Sequence, residues 1–222
     1  MDTKVKKALE AAVNNYASIE EIDSNPILLG LASAFELEQP FMDKVKALDN
    51  VFDDNQRLEE LREYAFDLLM INFFAEDVQK LEEDYLDSEE WEAIEEETLD
   101  RGSELLNILL YLRECSDDEI EPSLEDFLKE FLLVEEDEFQ DEYRIYEKVI
   151  ANQILVESEY SEISKIANNI AADDELAELF YPLISFFNEQ KPNQEQIEAY
   201  AAAAPNKPLD LALLKLIVNY NS

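Results

Sequence analysis

The sequence contains no histidine, and this absence removes several classes of active site. Ser-His-Asp and Cys-His nucleophiles, histidine-ligated zinc and haem all require an imidazole. The Glu-x-x-His motif of di-iron helical bundles requires one as well. With Cys115 as its single cysteine, the chain cannot form an internal disulfide or, on its own, a cysteine-ligated zinc or iron–sulfur site. One cysteine fits a reducing compartment, and we expect a cytoplasmic protein.

Glycine is also scarce, since the chain of 222 residues has only Gly30 and Gly102. Phosphate-binding loops of the G-x-x-x-x-G-K-[ST] and G-x-G-x-x-G types are therefore excluded. Strand-rich folds use glycine at tight turns and bulges, so its scarcity argues against them. Alanine, leucine and glutamate, which favour helices, are abundant instead. The composition predicts an all-α protein.

We predict a compact multi-helix bundle or an irregular helical array of about 8–11 helices, without a sheet, in a single domain over residues 1–222. Capping residues such as Ser88, Ser123 and Asn193 mark the expected starts of helices, and Ser116 to Glu119 has the spacing of a capping box. The predicted helices are 3–17, 26–38, 41–50, 56–82, 88–114, 123–133, 136–157, 160–171, 174–188, 194–203 and 209–220.

Two of these helices are apolar almost all round. YAFDLLMINFFA (64–75) is too short and too polar to cross a membrane, and it marks 56–82 as the central helix of the core. Asp67 and Asn72 interrupt it, and we expect each to be hydrogen-bonded to a neighbouring helix or to lie at the edge of the core. Helix 209–220 is either buried within its own chain, which we favour, or packed against a second copy. The N-terminal stretch MDTKVKKALEAAV lacks the apolar segment that a signal peptide requires.

Negative charge dominates the chain, with 55 acids against 17 bases and a net charge of −38. Residues 51–150 hold 35 of the acids and 8 of the bases, a net of −27. A charge of this sign repels phosphate backbones and anionic membrane surfaces, so we expect no nucleic-acid and no membrane partner. It attracts basic proteins or cations, or it simply keeps the molecule in solution.

Two acidic stretches are candidates for a contact surface. Residues 82–100 contain 11 acids and no base, and residues 135–142 contain six acids in eight positions. The second stretch is also typical of a helix N-terminus with a solvated side, because the helix dipole favours acids there. The residues that we predict to contact a partner are Glu89, Glu92, Glu96, Glu138, Asp141 and Glu142.

An EF-hand starting at Asp117 fails, because Pro122 stands where glycine is required and Leu128 where the bidentate glutamate is required. We expect Cys115 to be an inert residue near a helix end, since no activating partner is evident. No catalytic, cofactor-binding or metal-ligating residues are predicted.

The leading hypothesis is a non-enzymatic, all-helical interaction protein whose acidic surface binds a basic protein. An immunity-type inhibitor of a basic toxin and a nucleic-acid mimic are concrete versions. One alternative is a carboxylate-dependent enzyme that holds Mg²⁺ or Mn²⁺ between facing helices. Another is a structural subunit of unknown function that forms homodimers through residues 209–220.

Overall fold

A computed structural model of the chain describes residues 1–76, 80, 83–131, 133–135, 138–139 and 145–222. The fold is all-α, as predicted. The helices are α1 Thr3–Ile19, α2 Ser24–Phe35, α3 Phe41–Asp53, α4 Arg62–Glu76, α5 Glu83–Leu86, α6 Glu89–Thr98, α7 Leu105–Asp117, α8 Leu124–Asp126, α9 Glu147–Ala151, α10 Tyr160–Ala167, α11 Phe180–Asn188, α12 Gln194–Ala203 and α13 Lys207–Tyr220. Short 3₁₀ helices cover Gln56–Leu61 and Gln153–Glu157, and a π-helical turn covers Phe127–Phe131.

The core forms around α4, α11 and α13, whose side chains are buried on nearly every side. Helix α13 packs most extensively on α1 and also on α11, while α4 lies against α7 and α3. The expectation that 209–220 is buried within its own chain is therefore confirmed. Burial all round also explains why these helices lack the polar face of an ordinary surface helix.

The predicted single helix 88–114 is wrong, because α6 and α7 are separate helices. Gly102 has a φ of +86° in the connection between them, and a right-handed helix cannot continue through that conformation. Ser88 caps α6 by accepting the N–H of Trp91, as the sequence indicated. The capping box at Ser116 is also wrong, since α7 continues to Asp117 and Glu119 has a φ of +57°.

Other predicted helices are shorter or divided. Residues 56–61 form a 3₁₀ helix before α4, and the predicted end of helix 56–82 reaches beyond the described residues. Helix α11 begins only at Phe180, so Pro182 lies in a first turn, where proline needs no hydrogen-bonding N–H. The capping box between Asn193 and Gln196 at the start of α12 is confirmed.

A short antiparallel pair of strands departs from the predicted absence of a sheet. Strand β1, Leu133–Glu135, pairs with β2, Glu138–Phe139, where helices 123–133 and 136–157 were expected. Acids four residues apart repel one another on a helix, and Leu, Val and Phe suit extended backbone. The helical prediction is therefore wrong for the residues of the two strands, whereas 124–131, 147–151 and 153–157 are helical as expected.

Of the helices that the structure describes, none combines the length and the apolar character that crossing a membrane requires.

Candidate functional site

Two acidic segments that are more than a hundred residues apart in the sequence meet at a cleft of about 410 Å³. The 3₁₀ helix Gln56–Leu61 and the first turn of α4 form one side, and residues 172–178 before α11 form another. Gly102 and Ser103 complete the lining. Seven carboxylates line the cleft: Glu59, Glu60, Glu63, Asp173, Asp174, Glu175 and Glu178.

A tyrosine connects the two sides of the cleft. The hydroxyl of Tyr64 on α4 donates a hydrogen bond of 2.8 Å to Glu178 Oε2. Burial, reinforced by the charge of Glu178, raises the pKa of Tyr64 well above its usual value. The phenol therefore stays protonated near neutral pH and acts as a donor, which holds the segment before α11 against α4.

Other carboxylates of the cleft are held by donors within the chain. Glu60 accepts the Tyr16 hydroxyl at 2.5 Å, and Glu63 accepts the Gly102 N–H at 2.8 Å. Asp173 and Glu175 are exposed, and the described part of the chain offers them no hydrogen-bond or ion-pair partner. These two side chains are thus free to bind a cation from outside.

The nearest arginines are shared between Asp49, outside the cleft, and two carboxylates of its rim, since Arg62 binds Glu59 and Arg101 lies 3.9 Å from Glu63. Arg101 makes two bonds of 2.9 Å to the carboxylate of Asp49 on α3. Arg62 binds the same carboxylate at 3.1 Å and also binds Glu59, on the cleft, and Asp53. Among the residues described, no lysine or arginine lines the cleft. Its negative potential is therefore only partly compensated, and a concave surface of one charge concentrates that potential.

The arrangement suits an ammonium or guanidinium group better than a metal ion. Multivalent cations need several oxygen atoms converging within about 2.0 to 2.6 Å of one point. Within the described ranges, no three acidic or cysteine side chains are placed to hold a metal ion. A guanidinium can instead bind carboxylates through separate N–H groups spread over its planar fork.

The predicted contact residues of the first acidic stretch share one side of α6. Glu89, Glu92 and Glu96 are exposed, while Ile94 and Thr98 face the core. Glu89 and Glu92 also lie in the first turn, where carboxylates stabilise a helix without any partner. The structure thus places these three acids together. Solvent exposure and the helix dipole also account for acidic residues on this side of α6 without any partner.

The second predicted stretch is not brought into a described site. Glu138 lies in β2, and its backbone pairs with that of Glu135 rather than forming a helix. Asp141 and Glu142 lie outside the described residues. Of the six acids in 135–142, only Glu135 and Glu138 lie within the described residues.

Sequence reasoning missed the cleft. Its two segments, 59–63 and 173–178, are short acidic runs in unremarkable positions, and no local pattern indicates that they meet. Both polar interruptions of α4 are buried and hydrogen-bonded, although their partners are not in the body of a neighbouring helix. Asp67 is bonded to Ser103, while Asn72 accepts the N–H of Asp2 and donates to Glu76. Cys115 is buried near the end of α7, as expected.

No protein-family model, curated protein or solved structure matches the chain.

Proposed function

We propose that this protein is a non-enzymatic, acidic helical protein that binds a basic segment of another protein. The cleft between α4 and residues 172–178 receives one or more lysine or arginine side chains of that partner. An immunity-type inhibitor of a basic toxin, or a protein that mimics nucleic acid toward a basic protein, would use such a site. The outward face of α6 adds a second acidic surface.

The observation that carries this proposal is the lining of the cleft. Seven carboxylates line one concavity, and the described lining includes no base. The two nearest arginines, Arg62 and Arg101, share Asp49 and compensate only Glu59 and Glu63 among the seven, so most of this charge is not neutralised by arginine. A positive side chain that enters the cleft gains charge-assisted hydrogen bonds, which are roughly twice as strong as neutral ones.

The two alternative hypotheses have less support. A metal-dependent enzyme needs converging carboxylates, and the described residues form no such group. A homodimer through residues 209–220 needs an exposed apolar face there. Most side chains of α13 are instead buried against the chain's own helices, chiefly α1.

The proposal is tested by capture of partners from a lysate with three forms of the protein. The first is the wild type. The second is the cleft variant D173N/E175Q, which neutralises the two carboxylates that have no described partner. The third is the control variant D118N/E121Q, which removes the same charge from exposed acids beyond the other end of α7, about 20 Å from Gly102 for a helix of this length. Captured proteins are identified, and each is then titrated in purified form.

The expected result is a basic protein that wild type and control variant retain at ~0.1 M salt and release at ~0.5 M salt, since screening weakens such contacts. The cleft variant should bind it at least several-fold more weakly than the control. Equal binding by both variants would remove the cleft from the interface. Recovery of no basic protein at low salt would contradict the function itself.

A further inference from the structure

The turn Arg101–Glu104, which joins α6 to α7, is fastened to the helices beneath it by carboxylates. Arg101 binds Asp49 on α3, and the N–H of Gly102 donates to Glu63 on α4. Ser103 donates to Asp67, also on α4. Each of these three consecutive residues is thus a donor to a different carboxylate.

Of the three carboxylates that hold the turn, Asp67 is the most deeply buried. Asp67 is 0% exposed. It accepts the N–H of Ser103 at 3.0 Å and 3.2 Å on its two oxygens, and the Ser103 hydroxyl at 2.5 Å. A Cβ atom on Gly102 would lie 2.7 Å from Asp67 Oδ1, so the backbone of the turn rests directly on the carboxyl group.

Negative charge surrounds this buried group. The charges of Glu63 and Glu104 both act to raise the pKa of Asp67, while the bonds from Ser103 act to lower it. Burial is the largest effect, and it raises the pKa to about 8. The cation in the turn, Arg101, binds Asp49 and lies 3.9 Å from Glu63. Ionised Asp67 thus has no bonded cation within the described structure.

The elements packed around the turn contribute further titratable groups, and those of known contact are mostly acidic or phenolic. They are Glu63 and Tyr64 on α4, Asp49 on α3 with its partner Arg62, Glu104 before α7 with its partner Tyr146, and Glu178 before α11, which bonds Tyr64.

We propose that Asp67 and the turn Arg101–Glu104 form a proton-controlled clasp on the wall of the acidic cleft. With a proton on Asp67, the neutral carboxyl group holds Ser103 and the turn is closed. Loss of that proton places a charge in a buried site that faces Glu63 and Glu104, and the turn opens to let water reach it. Gly102 is the hinge, because its positive φ is readily accessible only to glycine. This inference does not depend on the proposed partner.

The two glycines make the clasp measurable. Labelling the protein with ¹⁵N-glycine marks the amide of Gly102 in the turn and that of Gly30 in α2 as an internal control. Hydrogen exchange of both amides is followed from pH 5 to 9 in the wild type and in D67N. Asparagine keeps the shape of the protonated carboxyl, and its amide can donate to the Ser103 hydroxyl. The ratio of the two proteins' rates at one pH cancels the intrinsic effect of pH on exchange.

The wild-type rate for Gly102, divided by the D67N rate, is expected to rise by up to roughly tenfold per pH unit between pH 5 and 7 and to level off near pH 8. The ratio for Gly30 should stay near one. A flat ratio for Gly102 would overturn the proposal. A rise shared equally by Gly30 would also overturn it, because the opening would then be global.

A second variant covers the case in which D67N does not fold. Ser103→Ala removes a hydroxyl that favours the ionised carboxyl, so the levelling-off of Gly102 exchange should move to higher pH. An unchanged pH for that levelling-off in S103A would contradict the clasp.

Discussion

At Gly102 the backbone has a φ of +86°, and the buried carboxyl group of Asp67 lies where a side chain would begin. Both constraints act on one residue, and both follow from the way the turn is fastened to α4. Glycine meets them because it has no Cβ atom. This residue explains why α6 and α7 are two helices, and why Ser103 reaches the cleft lining.

Replacing Gly102 with alanine is expected to destabilise the protein by about 2 to 3 kcal/mol. The new Cβ atom would combine an unfavourable φ with a clash against Asp67 Oδ1, 2.7 Å away. Urea unfolding measures the change in the free energy of unfolding.

Gly30→Ala is the matched control for that substitution. Gly30 lies within α2, where alanine is the better helix former, although its Cβ atom would lie 3.0 Å from Val51 Cγ2. These effects oppose each other, so its net change should be within about 1 kcal/mol. A loss for Gly102→Ala no larger than that of the control would show that the turn is not constrained as described.

Among the elements, α13 contributes most to the core through its contact with α1. Its apolar side chains face α1 and α11 as well as α12, so it has little apolar surface left for a second copy. The helix therefore stabilises the fold of its own chain. A substitution in the core-facing side of α13 should therefore lower the stability of the chain, whereas a substitution in a dimerisation helix should change the oligomeric state.

Leu213→Ala is expected to lower the free energy of unfolding by about 2 to 5 kcal/mol, because Leu213 is 0% exposed and its truncation leaves a cavity. Leu29, which is 70% exposed on α2, is the control, and its change to alanine should be within about 0.5 kcal/mol of zero. Chemical denaturation gives both values, and light scattering gives the mass. A change in mass without a loss of stability would support dimerisation through α13 instead.

For the whole molecule, we expect stability to fall as the pH rises from about 4 to 8. Burial raises the pKa of Asp67 to about 8 and that of Asp210 to about 7, from 3.8 in both cases. Across that window the folded state holds protons that the unfolded state has lost, so each unit of pH favours unfolding. Less repulsion among the exposed acids at low pH acts in the same direction.

Unfolding in urea at pH 5 and pH 8 separates the two contributions. The wild type should lose roughly 1 to 4 kcal/mol between these values, and D67N/D210N should lose markedly less. The control D118N/E121Q removes two exposed charges and should retain nearly the wild-type loss. If both variants behaved alike, general repulsion rather than the buried carboxyls would account for the effect.

The sequence predicts this architecture wherever a local pattern decides the structure. Caps at Ser88 and Asn193 and the apolar character of α4 and α13 are visible in short windows, and the structure confirms them. The break at Gly102 depends on a tertiary contact with Asp67. The periodic pattern of apolar residues does not show that contact, so the predicted helix continued through Gly102. The cleft joins segments more than a hundred residues apart, and only the packed chain brings their charges together.

The most direct test of the account is the affinity of the protein for an arginine-rich peptide in ~0.15 M salt, measured by fluorescence anisotropy for the wild type, D173N/E175Q and D118N/E121Q. Both variants carry the same net charge, so any difference between them reports position rather than total charge. The account predicts about tenfold weaker binding for D173N/E175Q, and a loss below about twofold for D118N/E121Q. Equal affinities for the two variants would mean that the peptide responds to net charge alone, and would contradict a binding site in the cleft.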